Sequence, residues 1–465
     1  MTFIFYDTET TGISTAFDQI LQFASITTDS DLNETDRFEI RSRLLPYIVP
    51  SPHALRVTGQ TIDDLLDESR PSHYEMVTEI RRALGCPAMF VGYNSLTFDE
   101  EILRQAFYCC LYPPYLTNTA GNKRADAMHL IRAAAVLHPD ALARAFNDKG
   151  RPSFKLDRLA PANGFSHVNA HDALADVEAL IHLCRIVRDR CPALWARFQQ
   201  FASKMAVEDF LRDERAFLLL EFHPISTRRY FVTSIGSGNG SVAYCYDLMI
   251  DPAELKVLTD AELTSRLAKS PRTLRRVKTN AAPCLCSLAD APLEMLDELS
   301  ADELFRRAQE VRSDQALVDR LVAAAIDAET TYPPSPHVEK RIYDGFWSRR
   351  DEQRLEAFHA VPWEERVAIA ESLEDHRLAW LARRLIYVER PELLALEHRN
   401  TMASEKARRM MAEPAECAGW TTLCRAAADL AQLLDGQNAQ SASSLNAYFN
   451  LRRDEVRRFL GGSDA

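Results

Sequence analysis

The stretch Phe3-Ile4-Phe5-Tyr6-Asp7-Thr8-Glu9-Thr10-Thr11-Gly12 limits what this chain can fold into more than any other. Four consecutive apolar or aromatic β-formers read as a strand covered on both faces. Asp7 and Glu9 follow at i and i+2, and Thr10-Thr11-Gly12 closes the run. Alternate side chains of a strand share a face, so the two carboxylates project together from its carboxyl end. Two like charges held side by side cost free energy unless a cation neutralises them. Carboxylate oxygens suit magnesium or manganese. Taken alone, the pair fits a solvated turn equally well.

At 465 residues the chain has room for several domains, and its 46% hydrophobic and 26% charged content is that of a soluble globular protein. A net charge of −12 argues against a uniformly basic nucleic-acid binder, but local fields can differ from the total. Residues 101 to 160 hold nine Lys/Arg against five Asp/Glu, and residues 264 to 280 hold six Lys/Arg and no acid. The ten cysteines lack zinc-site or disulfide-framework spacing, which fits reduced thiols in a cytoplasmic protein. With no signal-peptide pattern and no membrane-length apolar run, the expectation is a soluble intracellular chain with no membrane partner.

Along the chain, Ile20 to Thr28 and Phe38 to Leu45 read as strands that continue a meander, and His73 to Leu84 has helical spacing. Ala88 to Val91 reads as a short strand that turns into a helix from about Asp99 to Cys110, with Thr97 and Glu100 forming a capping box. Asp126 to His138 is a further helix. Ser166 to Asp176 opens a long amphipathic one, with His171 at its start and Asp176 in its second turn. Beyond Pro192 the pattern changes, and Phe217 to Phe222, Tyr230 to Ile235 and Val242 to Leu248 read as strands. Residues 253 to 329 read as largely helical, including the basic stretch Arg266 to Lys278. Pro333-Pro334-Ser335-Pro336 is a linker, and Val338 to Leu460 is helical throughout, with Gln437 to Ser444 as a polar loop.

Singly, Asp99 has the ordinary explanation of an acid at a helix N-terminus, His171 that of a surface or capping residue, and Asp176 that of a solvated helix face. Together with Asp7 and Glu9 they gain force. A central strand, its neighbour and a packed helix can bring four carboxylates to one pocket, enough for two divalent ions about 3.5–4 Å apart. An imidazole titrates near working pH, which makes His171 the candidate general base.

These motifs resemble those of the DEDD exonucleases, in the subclass with histidine five residues before the last aspartate. Asp7-Thr8-Glu9, Asn94 to Asp99 and His171 to Asp176 are the three matching segments. Within that superfamily the chain is most similar to the bacterial exodeoxyribonuclease I family. The likeness rests on Gly92-Tyr93-Asn94, Phe98-Asp99, Phe107-Tyr108, Pro152-Ser153-Phe154, Ala162-Asn163-Gly164, Asn169 to Ala173 and Ile342-Tyr343-Asp344-Gly345-Phe346. It is dense over residues 1 to 190 and sparse but collinear afterwards.

The resemblance implies an α/β ribonuclease-H-like nuclease domain over 1–193, an SH3-like α+β domain over 194–334 and an all-α domain over 335–465. It implies processive 3′-to-5′ removal of deoxynucleoside 5′-monophosphates from single-stranded DNA by a monomer, in repair and recombination. Asp7, Glu9, Asp99 and Asp176 take the ligand positions for two Mg2+ ions, with Mn2+ as a substitute, and His171 takes the position of the base. Glu9, Arg104, Tyr115, Arg132 and Lys155 fall where the family contacts the strand. Arg and Lys can track phosphates, and an aromatic ring can stack on a base. The family also docks the acidic tail of single-stranded-DNA-binding protein.

Three positions depart from the family pattern. Thr8 stands where an aromatic is expected, Lys155 replaces an arginine, and no tryptophans accompany Thr119. The rival readings are an exoribonuclease on the same nuclease fold, against which some 270 additional residues count, and a non-catalytic binding protein, against which the complete acid set counts.

Overall fold

A computed structural model of the chain describes residues 1–85, 87–166, 172–223, 226–292, 295, 299–329, 333–413, 416–433 and 439–461. The first strand, β1 (Phe3–Thr10), is central to a five-stranded mixed sheet. It is flanked on one side by β2 (Ile20–Thr28) and β3 (Glu34–Arg41), and on the other by β4 (Met89–Gly92) and β5 (Lys123–Asp126). The β1–β2 and β2–β3 pairs are antiparallel, whereas β4 runs parallel to both β1 and β5. In chain order the helices described in this part are α1 (Pro52–Thr58), α2 (Ile62–Leu66), α3 (His73–Ala83), α4 (Asp99–Cys109), α5 (Ala127–Leu137), α6 (Leu156–Ala162) and α7 (Ala173–Arg190). Alternation along β1 divides the apolar residues between two cores. Phe3 and Phe5 pack with α5 and α7. Ile4 and Tyr6 pack with α3 and α4.

Several elements differ from the sequence expectation, each for a local reason. The third strand is Glu34–Arg41, earlier than Phe38 to Leu45. It is a charged edge strand whose polar residues face water, so no apolar alternation marks it. No capping box starts α4: Ser95–Thr97 form a 3-10 turn, Phe98 occupies the N-cap, and Glu100 turns inward and is wholly buried. Asp176 falls in the first turn of α7, because the helix begins at Ala173 behind the N-cap Asp172.

The second sheet is antiparallel and α+β in character. Its strands are Phe217–Phe222, Thr227–Ser237, Val242–Asp247, Leu274–Lys278 and Cys284–Ser287. The basic stretch is therefore mostly not helical. The helix ends at Leu267, and Leu274–Lys278 pairs with Val242–Tyr246 as an edge strand. Val277 faces inward while Arg276 and Lys278 face out, the period of two that a strand requires.

The last third is helical from Arg349 onward, and a helix over Ala439–Gly461 replaces the expected polar loop where the two overlap. Leu445 and Phe449 hold that helix against Leu44 and Ile48 of the N-terminal part. The three parts share cores. Leu355, Phe358 and Leu378 pack with Tyr74, Phe107 and Tyr112, and Leu218, Leu220 and Cys286 join the opposite face of the first sheet. Among the described residues, no helix is long and apolar enough to cross a membrane.

Candidate active site

Asp7 and Glu9 leave the same side of β1, and α7 packs across β1 and β2 to bring Asp176 beside them. Ligand atoms from Asp7, Glu9 and Asp176 all lie within 4.8 Å of one another, the one such cluster of metal-ligating side chains among the described residues. The start of α7 is tied down by Asp172. Its Oδ1 accepts from the Ala175 amide (3.4 Å), and its Oδ2 accepts from Arg41 Nη2 (2.6 Å) and Gln22 Nε2 (3.1 Å). These bonds fix the first turn of the helix, and with it Asp176, against β2 and β3.

Asp99 reaches the site from the mouth of β4. The chain turns there through Asn94, whose φ of 59° is a left-handed conformation that asparagine tolerates. At Gly92 an added Cβ would lie 2.4 Å from Ser95 Cβ, so the turn closes only over glycine. Asp126 pins it, accepting from the Asn94 amide at 2.8 Å and the Leu96 amide at 3.3 Å while also capping α5. Asp99 is not part of the three-residue cluster. Its Oδ1 accepts from Thr8 Oγ1 at 2.6 Å and from the Thr8 amide at 3.2 Å.

Burial, then repulsion from Asp99, Asp176 and Glu9, holds the Asp7 carboxyl well above the usual carboxylate range. Burial followed by the charges of Asp176 and Asp99 pushes Glu9 up to about 8. Burial raises Asp99 to about 7, with the Thr8 bonds opposing the shift. Four crowded carboxylates, all offering hard oxygen donors, fit a divalent cation. Because these carboxyls keep protons that the unfolded chain releases at ordinary values, they stabilise the metal-free protein at low pH. That contribution is lost as pH rises through about 7 to 8. Thermal melting of metal-free protein should therefore fall between pH 6.5 and 9, and added Mg2+ should flatten the curve. The buried His73 and His359, pushed down to about 4, lose their protons below this window. A melting temperature independent of pH across it would contradict the crowding.

Glu100 lies behind Asp99 and organises the wall. It is 0% exposed, with Arg104 Nη2 and Arg124 Nη1 each 2.9 Å from Oε1, and Oε2 accepts from the Tyr6 hydroxyl at 3.2 Å. Arg124 continues to the Asn280 carbonyl in the second sheet's part, at 3.4 Å. Glu100→Ala would leave two buried guanidinium groups short of a counter-charge and should destabilise the fold by about 3–5 kcal/mol, read from denaturant unfolding. A loss under about 1 kcal/mol, the range of exposed pairs, would mean that solvent reaches the cluster.

The expected strand contacts occupy different settings. Arg104 is buried against Glu100, and its guanidinium lies 5.3 Å from the centre of the Tyr115 ring. Tyr115 in turn sits 6.0 Å from Phe346, which is 88% exposed, and 6.5 Å from Tyr343. A cleft of about 550 Å³ beside them is lined by Thr97, Arg104, Arg124, Lys278, Asn280 and Tyr343, so it draws on all three parts of the chain. Arg132 is buried between Phe154 and Phe222, its Nη2 donating to the carbonyls of His223 and Ser226 at 2.7 Å each. Lys155 is exposed at the N-cap of the helix Leu156–Ala162. His171 lies outside the described residues. Within the basic stretch, Arg275 stacks 3.4 Å from the centre of the Tyr230 ring and bonds Asp247, and Arg276 bonds Glu329. Lys278 is the residue of this stretch that lines the cleft. Thr8, Glu100, Asp126 and Asp172 are structural partners of the site that sequence reasoning missed. Only Asp126 and Asp172 carried a signal, an acid immediately before a helix.

The family model for exonucleases matches residues 4–184, the part that contains all four carboxylates. Exodeoxyribonuclease I of Haemophilus influenzae is 27% identical over 414 residues, covering 83% of this chain and 84% of the relative. The Escherichia coli enzyme of the same name is 28% identical over 378 residues, covering 75% and 77%. Among solved structures, a moderately thermophilic exonuclease I from Methylocaldum szegediense superposes with a TM-score of 0.85 at 25% identity, over 98% of this chain and 99% of that one. Escherichia coli exonuclease I in complex with a dA16 oligonucleotide shares the fold with a TM-score of 0.84 at 23% identity, over the same shares. Residues 4–184 thus form an exonuclease-family domain, and along most of its length the chain is similar to exodeoxyribonucleases I.

Proposed function

We propose that this protein removes deoxynucleoside 5′-monophosphates from the 3′ end of single-stranded DNA, in repair and recombination, with two Mg2+ ions that Mn2+ can replace. The observation that carries this reading is the convergence of Asp7, Glu9 and Asp176 within 4.8 Å, with Asp99 alongside, inside an exonuclease domain. Asp7, Glu9, Asp99 and Asp176 would hold the cations, whose charge favours ionised water and steadies the developing phosphate charge. His171 takes the proton from the attacking water and so acts as general base. Glu9, at the end of β1 beside Asp7 and Asp176, would also contact the 3′ end of the strand. Tyr115, with Tyr343 and Phe346, offers stacking surface for bases further along, and Lys155 and Lys278 offer charge for phosphates.

The parts proposed as 1–193, 194–334 and 335–465 together bound the cleft, and a strand held between them slides rather than dissociates after each cut. Such a passage favours a flexible single strand over a stiff duplex. The reading is tested with 5′-labelled single-stranded DNA, blunt duplex DNA and RNA, each with Mg2+ or EDTA. Single-stranded DNA should shorten stepwise from its 3′ end only with Mg2+. Preferential cleavage of RNA, or cleavage in EDTA, would overturn it.

A further inference from the structure

Thr8 lies between Asp7 and Glu9 on β1, so its side chain leaves the opposite face of the strand. There it is buried, 6% exposed, and directed at Asp99. Its hydroxyl donates to Asp99 Oδ1 at 2.6 Å and its amide donates to the same oxygen at 3.2 Å. Two donors from one residue thus converge on one carboxylate oxygen, and Thr8 does not engage Oδ2. Within the helix the backbone of Asp99 also bonds its own carboxyl, and Thr8 adds the hold from the neighbouring strand. Asp99 opens α4, the N-cap is Phe98, and that end of the helix has no side-chain cap. Among its charged neighbours Asp99 bears most on the Asp7 carboxyl, so an untethered Asp99 would swing away from it.

We infer that Thr8 is a positioning residue that fixes Asp99 for cation binding, a role that rests on reading Asp99 as part of the metal site. Valine has nearly the shape of threonine but cannot donate. Serine keeps the donor.

The test is Mn2+ titration of the full chain, with free Mn2+ followed by its electron paramagnetic resonance signal, alongside kcat and KM on single-stranded DNA. Thr8→Val should bind Mn2+ about 10–100-fold more weakly and lose kcat by a similar factor, the span for an outer partner of a metal ligand. KM for DNA should move much less, high Mn2+ should recover kcat, and Thr8→Ser should restore the affinity. Thr8→Ala serves the same purpose if the valine variant does not fold. Wild-type Mn2+ affinity in a folded Thr8→Val or Thr8→Ala protein, or a loss in Thr8→Ser as large as in the non-donor variants, would overturn the inference. Asp99→Asn separates the two ideas. If it weakens Mn2+ binding while Thr8→Val does not, only the positioning role fails. If Asp99→Asn binds like wild type, the metal-site reading of Asp99 fails with it.

Discussion

Asp176→Ala should fold normally and lose turnover by at least about a thousandfold, the upper end of what removing one preorganised electrostatic group costs. The side chain comes from a helix held independently by Asp172, Arg41 and Gln22, so its removal leaves the placement of α7 intact. Its loss also relieves repulsion on Asp7 and Glu9, so the metal-free variant should melt at or slightly above the wild-type temperature at pH 8. Lower activity with unchanged or higher stability is the signature of a site strained by its own charges. An inactive protein that also melts much lower would assign Asp176 a structural role instead. Circular dichroism melting beside a single-turnover assay in Mg2+ reads both quantities.

His171→Ala should lower turnover by about 10²–10⁴-fold, the usual span for a general base, with little change in DNA affinity. His171 precedes Asp176 by five residues, and the helix that carries Asp176 begins two residues after it, at Ala173. A histidine at that point loses its catalytic form when protonated, so the acid limb of the wild-type pH–rate profile should belong to it. In the alanine variant that limb should flatten or move. A retained limb would assign the titration to another group, such as Glu9 or Asp99, whose carboxyls are raised in the metal-free site.

Much of the site was legible because its signals are local. The alternation of Phe3 and Phe5 against Ile4 and Tyr6 divides two cores in the structure as it does on paper, and it carries Asp7 and Glu9 to one side. Phe217–Phe222 has the expected bounds for the same reason, being a continuous apolar run. What escaped depends on distant partners. Glu100 looked like a capping residue, yet Arg124, 24 positions later, draws it inward. Leu274–Lys278 looked helical because its cations hide an alternation that only pairing with Val242–Tyr246 makes plain. Thr8 looked like a mere departure from pattern until Asp99, 91 residues on, gave its hydroxyl an acceptor. Local propensity cannot register such pairings, since tertiary context decides them.

On the proposed mechanism Asp7, Glu9, Asp99 and Asp176 form one divalent-cation centre. Anomalous scattering from crystals of the full chain soaked in Mn2+ reads this out. Two peaks about 3.5–4 Å apart are expected among these four carboxylates, with at least one lost in Asp176→Ala. Well-occupied manganese elsewhere, with no peak among the four carboxylates, would contradict it.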